Sequence, residues 1–406
     1  MIRAELERNN REQISNREQR SNREQRSNRE QRNGLLGSES DSLEERASHQ
    51  TERDSLFNYG KLQTYLDDES IEEIWINSPN RIFIAKNGTS HLAPIIISAQ
   101  EIRDITERML AWSGRRVDLS KPFVDARLPN GARLHVVIPD ITAEYWALNI
   151  RKRILRAFSL SDLVGANSVS EEVAAVLTEI VGCNVNILVS GATHAGKTTI
   201  LNSLLGALPP RSRLITLEEV FELTPRVADH VALQIRQENL EGNGEVSLRT
   251  LVREALRMRP NYLVIGEVRG AEALDLLLAL NSGIPGMASI HANSADDALR
   301  KITALPLLAG QNIVREFALE AVRENIDIVI HCKQDRNNVR RIVDVALVNK
   351  QSASNSLSTE SLFHWDGLRY QMGRIDFDAF PKLTEIKRSV LALLTNSDSA
   401  HVRKAE

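Results

Sequence analysis

Asn186-Ile187-Leu188-Val189-Ser190-Gly191-Ala192-Thr193-His194-Ala195-Gly196-Lys197-Thr198-Thr199-Ile200-Leu201 runs from a short apolar stretch through a glycine loop into a helix-period pattern. The central octet fits G-x-x-x-x-G-K-[ST], and strand, loop, helix is the order that pattern requires. Without side chains at Gly191 and Gly196 the backbone can wrap its N–H groups around phosphate oxygens, with the positive end of the following helix aimed at them. The residues from Gly191 through Ala192, Thr193, His194, Ala195, Gly196, Lys197, Thr198 and Thr199 are therefore expected to cradle a nucleoside triphosphate. Lys197 would neutralise β- and γ-phosphate charge, and Thr198 would hold Mg²⁺.

Outward from this loop, the chain from about Ser168 alternates apolar strands with amphipathic helices, which predicts a parallel sheet with helices on both sides. Arg213–Leu217 reads as a second strand that delivers Glu218 and Glu219 at its carboxyl end, where ligands of such sheets bind. Ser247 is predicted to cap a helix that runs through Met258 and stops at Pro260. Tyr262–Glu267 is an apolar strand ending in a carboxylate placed to polarise water or complete a Mg²⁺ shell. Met287–Ile290 is another, followed by His291.

Upstream, residues 55–154 read as a smaller α+β domain. Ile71–Asn77 and Arg81–Lys86 form a meander around Ser78-Pro79-Asn80, and Ser98 opens a helix reaching Trp112 with Ile102, Ile105, Met109 and Leu110 on one stripe. Phe123–Leu128 and Ala132–Ile138 make a hairpin about Asn130. Pairing symmetric about Asn130 would set Arg127 opposite Arg133, a repulsive arrangement that a shared phosphate or solvent would relieve. A last strand, Ala147–Lys152, carries Arg151. Residues 155–167, with Gly165, are read as a hinge linker to the 168–350 domain.

The flanks show no catalytic motif. Residues 1–54 repeat Asn-Arg-Glu-Gln from Asn10, Asn16, Asn22 and Asn28 and contain too little apolar content for a core, so a solvated, disordered arm is expected. RNA or lipid binding by the arginines of this repeat is the alternative, weakened by a glutamate in every repeat. Residues 351–406 are read as a peripheral extension and tail, with a hairpin at Leu362–Trp365 and Asp366-Gly367. The chain has 406 residues, 42% hydrophobic and 26% charged, with a formal net charge of −3. That balance gives no reason to expect nucleic acid as the principal partner. Cys183 and Cys332 lie beside apolar runs and are expected to be buried free thiols, in keeping with a reducing compartment. No stretch is apolar enough for a membrane span or a secretory signal, so a cytoplasmic location is expected.

The motifs resemble, in order, those of the ring-forming ATPases of the type II/type IV secretion superfamily, and most closely the branch that powers tight-adherence (Tad) pili. The resemblance covers roughly residues 56–350. It rests on the phosphate loop, an acidic box Thr216-Leu217-Glu218-Glu219-Val220-Phe221-Glu222-Leu223, the strand end Gly266-Glu267-Val268-Arg269-Gly270, and a histidine box Ser289-Ile290-His291-Ala292-Asn293-Ser294. Val124–Pro129 and Leu305–Asn312 are similar to segments of the Tad branch.

The resemblance implies an α/β P-loop (RecA-like) C-terminal ATPase domain behind the α+β domain, and ATP hydrolysis coupled to mechanical work. It makes Glu267 the catalytic carboxylate, with Glu218 and Glu267 meeting Mg²⁺ through water and His291 sensing the γ-phosphate. Arg127, Arg133 and Arg151 would reach the nucleotide from the N-terminal domain. It further implies a homo-oligomer, a hexameric ring, working against an inner-membrane platform protein and so held peripherally at the inner face of the cell membrane. A conjugation or type IV secretion motor, and a nucleotide-responsive scaffold that does not hydrolyse ATP, share the same boxes. Two departures stand out. His194 replaces a small residue, and the expectation is a negative φ with the imidazole in solvent; Glu219 stands where aspartate is usual.

Overall fold

The structure, a computed structural model, describes residues 58–86, 88–152, 159–236, 238, 243–335, 338–350, 357–375 and 379–383. The arm 1–54, residues 153–158 with the start of the 155–167 linker, and the tail beyond Leu383 lie outside the described residues.

The first unit contains α1 (Gln63–Asp67), β1 (Ile71–Ser78), β2 (Arg81–Lys86), β3 (Thr89–Leu92), α2 (Ala99–Ser113), β4 (Phe123–Arg127), β5 (Arg133–Val137) and β6 (Ala147–Arg151). Its strands form an antiparallel sheet in the order β3-β2-β1-β6-β5-β4. Ser98 caps α2 through its hydroxyl, and Ile102, Ile105, Met109 and Leu110 are buried as the stripe predicts. They close over Ile74, Ile76, Leu134, Val136 and Ile150 in one apolar core.

Register in this sheet has one consequence for function. Arg127 pairs with Arg133, Arg133 with Arg151, and Arg151 with Glu73. Directly opposed residues of an antiparallel sheet share a face, so three arginines and one glutamate form a lateral row across β4, β5, β6 and β1.

The second unit contains α3 (Leu160–Gly165), α4 (Glu171–Gly182), β7 (Ile187–Gly191), α5 (Lys197–Leu205), β8 (Arg213–Glu218), β9 (Asp229–Gln234), α6 (Leu248–Leu256), β10 (Tyr262–Val268) and α7 (Glu272–Asn281). It continues with β11 (Gly286–His291), α8 (Ala295–Ala304), α9 (Arg315–Asn325), β12 (Ile328–Gln334), β13 (Arg340–Val348), β14 (Thr359–Trp365) and β15 (Tyr370–Met372). The sheet order is β15-β14-β13-β12-β7-β11-β10-β8-β9. From β12 to β9 every pairing is parallel, and β13, β14 and β15 extend the sheet antiparallel.

Alternating residues of the central strands feed opposite cores. Ile187 and Val189 pack with α3, α4 and α5, while Leu188 packs with α6, α7, α8 and α9. Burial on both faces is why these strands read as continuous apolar runs.

Several expectations are corrected. The second half of the hinge is the helix α3, capped by Ser159, with Leu160 and Leu163 buried, so hinge freedom cannot reside in residues 160–165. The 351–406 extension is not peripheral where it is described: Leu362, Phe363, Phe380 and Leu383 enter the same core as the phosphate-loop strand, and Lys382 pairs with Asp327 at 2.7 Å. Helix α6 ends at Leu256, before Met258. Cys332 is buried, but Cys183 is only half-buried.

Candidate functional site

Strands β7, β8, β10 and β11 all end at one edge of the large sheet, and the candidate residues gather there. Gly191 ends β7 against β12: a Cβ at this position would lie 2.6 Å from the Cys332 carbonyl oxygen and 2.8 Å from its sulfur. Gly196, at φ +96°, starts α5 without a side-chain cap. Helices α2, α3, α4, α6 and α8 instead open on a serine hydroxyl. The first N–H groups of α5 are thus left to a ligand, as an anion-binding turn requires.

His194 has φ +60°. The expected negative φ is overturned: the loop turns through the left-handed region here, and a β-carbon costs about 1–3 kcal/mol in a sparsely populated conformation. Nor does the ring stand in solvent alone. It is 52% exposed, with Nδ1 3.9 Å from Glu73 Oε1 in the arginine row.

Lys197 points back under the loop. Its Nζ donates to the Ala192 carbonyl at 3.2 Å and to His291 Nδ1 at 3.1 Å, and stands 4.0 Å from Glu267 Oε1. Ammonium is a donor only, so Nδ1 accepts and the neutral imidazole carries its proton on Nε2. That nitrogen lies 2.5 Å from Glu267 Oε1. Burial lowers the pKa of His291, which keeps the ring neutral. Burial also lowers that of Lys197, with Glu267 opposing and the nearby charges of Arg269 and Arg151 adding to the fall.

Glu267 is held asymmetrically. Arg269 Nη2 binds its Oε2 at 2.6 Å while Nη1 binds Glu219 at 2.7 Å. Oε1 is buried and makes no aligned hydrogen bond, because His291 Nε2 is close to it but off the hydrogen-bond line. A buried carboxylate oxygen with an unmade bond is a place for a water or a metal-bound water.

Glu218 and Glu219 have separate partners. Glu218, 2% exposed, accepts the backbone N–H groups of Glu222 and Leu223 at 2.7 and 2.8 Å on Oε2, which curls the acidic box into a tight loop. That loop presents Glu222, whose Oε2 accepts the Thr198 hydroxyl at 3.2 Å. Glu222 joins the site although the sequence motifs give it no role; a hydroxyl at the end of G-K-T, which needs a carboxylate beside it, is the signal that points to it. Thr199, the next residue, gives its carbonyl to Ser203 within α5.

The arginine row faces this edge. Arg133 lies 3.7 Å from Glu222 and 4.0 Å from Glu219, and Arg127 stacks 5.1 Å from the centre of the Phe221 ring. Arg151 lies 3.7 Å from Glu73. The like charges of the row are therefore relieved by the acidic box and by Glu73.

The donors fit Mg²⁺ in kind. Thr198, Glu222 and Glu267 present hard oxygens, and Mg²⁺ usually keeps several waters and substrate phosphates instead of an all-protein cage. No cluster of three His, Cys, Asp or Glu side chains that could hold a metal occurs among the described residues. No helix of the described residues is long and apolar enough to cross a membrane.

Comparison with known proteins agrees with the architecture. The family model "Type II/IV secretion system protein" matches residues 57–362. The conjugal transfer candidate Rv3659c of Mycobacterium tuberculosis is 33% identical over 315 residues, covering 76% of this chain and 88% of the relative. The type IV secretion system protein PtlH of Bordetella pertussis is 30% identical over 317 residues, covering 71% and 94%. Among solved structures, the ATPase DotB of Yersinia pseudotuberculosis aligns with a TM-score of 0.52 at 19% identity over 82% of this chain and 84% of that one. The ADP-bound pilus retraction motor PilT aligns at 0.50 and 14% identity, over 82% and 88%. The fold is thus that of a P-loop α/β domain behind a smaller N-terminal domain, and the chain belongs to the type II/IV secretion system protein family.

Proposed function

We propose that the protein hydrolyses ATP and couples the reaction to mechanical work in a pilus-assembly or secretion machine of the cell envelope. The observation that carries this reading is the meeting of Lys197, His291 and Glu267 beside the uncapped start of α5. Lys197 neutralises the transferring phosphoryl group, and Glu267 Oε1 orients a water and takes its proton as the water oxygen bonds to the γ-phosphorus and the bond to the β-phosphate oxygen breaks, leaving ADP and phosphate. Arg269 keeps the other carboxylate oxygen occupied, so Oε1 alone is offered to water. Thr198, with Glu222 behind it and Glu267 through water, would hold Mg²⁺, which supplies charge neutralisation along the phosphates. Glu218 serves by shaping the loop that brings Glu222 to Thr198. His291 reports γ-phosphate occupancy, since a phosphate drawing Lys197 away frees Nδ1.

Arg127, Arg133 and Arg151 exchange their present partners for phosphate charge. Their row sits on one unit and the loop on the other, so nucleotide occupancy biases how the two units sit. A ring of six copies acting on a platform protein at the inner face of the membrane would pass that motion on. A Tad-type pilus is supported by Val124–Pro129 and Leu305–Asn312. The conjugal transfer and type IV secretion roles by which the relatives are named favour a second reading in which the same motor moves another cargo.

The test is phosphate release from the purified protein with MgATP, compared with Lys197→Ala and Glu267→Gln. Both variants should lose at least about 99% of the rate, roughly 2.7 kcal/mol of transition-state stabilisation. Equal rates in all three proteins would leave only a nucleotide-binding scaffold.

A further inference from the structure

Arg340, the first residue of β13, spans from the phosphate loop to the smaller unit. Its Cβ, Cγ and Cδ lie 3.5, 3.9 and 3.4 Å from the point where a side chain at Gly196 would begin. The stem thus covers the residue that starts α5 at φ +96°, while the charged head stays among polar groups. That head, at Nη2, lies 3.5 Å from Glu72 Oε2.

Glu72 reaches this place through an irregularity of β1. Pairing of β1 with β2 slips between Ile71 and Glu73, leaving Glu72 as the extra residue of a bulge, and bulges re-aim side chains. Its Oε2 also accepts the Gly88 N–H at 3.1 Å, between β2 and β3. Gly88 meets the same strand end from its other side: a β-carbon there would lie 3.0 Å from Nε2 of Gln334, the residue that pairs with Arg340 across β12 and β13. Glu73, next along β1 and paired with Arg151, lies 3.9 Å from His194 of the phosphate loop. The strand that ends the arginine row is therefore seated beside the loop, with Arg340 of the large sheet joining the two.

We infer that Arg340 is a positioning residue: its stem packs the start of α5, its head holds the Glu72 bulge, and this tie sets how closely the arginine row of the small sheet approaches the transferring phosphate. The inference rests on the hydrolytic reading of the site. Glu72 and Arg340 keep 16% and 31% of their side-chain surface exposed, so the pair is partly sheltered from screening. The loop and Lys197 hold the phosphates that ADP retains, whereas the row acts on charge that moves in the reaction. Loosening the tie therefore lowers kcat and spares MgADP affinity.

The experiment measures phosphate release and calorimetric MgADP binding on the full chain for the wild type, Arg340→Met, Arg340→Lys, Glu72→Gln and the Arg340→Met/Glu72→Gln double variant. Methionine keeps a stem over Gly196 and drops the charge. In Arg340→Met and Glu72→Gln, kcat should fall about three- to fivefold, the reach of one partly exposed ion pair. The double variant should fall no further, and MgADP affinity should hold in all of them. Arg340→Lys should keep most of the rate, because Nη2 makes one contact and not a bidentate fork. Charge acting directly on the nucleotide would move Arg340→Met and Glu72→Gln in opposite directions, since one loses a positive charge and the other a negative one. In the nucleotide-free protein, hydrogen exchange of Thr89–Leu92 and Ile328–Gln334 should quicken in both variants while that of Ile187–Gly191 stays as it was. Faster exchange in all three segments would reduce the pair to a support of the fold and overturn the positioning role. Opposite shifts in kcat, or unchanged rates beside an active wild type, would overturn the inference while leaving hydrolysis intact. Absence of phosphate release from the wild type would overturn the hydrolytic reading, and this inference with it.

Discussion

Arg133 Nη1 lies 3.7 Å from Glu222 Oε1, and the other oxygen of that carboxylate accepts the Thr198 hydroxyl at 3.2 Å. One side chain thus links the arginine row of the small sheet to the Thr198 hydroxyl, the proposed Mg²⁺ position of the phosphate loop. Glu218, four residues earlier, spends Oε2 on two backbone N–H groups of the same loop. Glu222→Gln should lower phosphate release by about tenfold or more, about 1.4 kcal/mol, with stability unchanged. Glu218→Gln should instead cost about 1.5–3 kcal/mol of stability, because a buried charged acceptor is lost. Urea unfolding measured beside turnover separates the two, and equal stability losses would place both glutamates in the scaffold.

Arg127 touches the acidic box: its guanidinium lies 5.1 Å from the Phe221 ring centre. Such a cation–π contact contributes about 0.5–2 kcal/mol. Arg127→Ala should therefore lower turnover at least about fivefold, about 1 kcal/mol, while MgATP binding to the full chain persists. Full turnover in the variant would show that the Phe221 contact has no part in the reaction.

The parts legible in the sequence were those whose physics is local or doubly buried. Ile187–Gly191 and Tyr262–Val268 are buried on both faces and so announce themselves as apolar runs. The opposition of Arg127 and Arg133 could be counted from Asn130, because a tight turn sets its own register. Arg151 as the next member of that row, and Glu73 as its end, could not. They depend on pairings of β6 with β5 and of β6 with β1, the second joining strands far apart in the chain. The left-handed φ of His194 was misread for a related reason, since residue type biases backbone angle but loop closure decides it. The edge strand Asp229–Gln234, half exposed and mixed in polarity, escaped notice because it lacks the apolar run of its neighbours.

Gly191 offers a packing test that does not involve ligands. A methyl group there would meet the Cys332 carbonyl oxygen at 2.6 Å, and backbone of a central strand cannot step aside. Gly191→Ala should destabilise the protein by about 1–3 kcal/mol through overpacking. Adding Cys332→Ala removes only the sulfur contact at 2.8 Å and should not restore stability in urea unfolding. Rescue by the second substitution would mean that the thiol, not the backbone, sets the limit.

His331 gives the fold a pH dependence of definite sign. It is 3% exposed, sits beside the phosphate-loop strand, and shares a 2.9 Å hydrogen bond between Nδ1 and the Ser190 hydroxyl. Burial, with Lys333 adding to it, pushes its pKa down to about 4. Between about 4 and the ordinary 6.5 of histidine the unfolded chain binds a proton that the folded chain refuses. This contribution is therefore complete above pH 6.5 and disappears as pH falls toward 4, amounting to about 3 kcal/mol at most. His331→Asn keeps a polar partner for Ser190 and cannot titrate. Urea unfolding free energies from pH 7 to pH 4.5 should fall about 2 kcal/mol further in the wild type than in that variant. Parallel pH profiles would show that the imidazole is protonated, and satisfied, inside the folded protein.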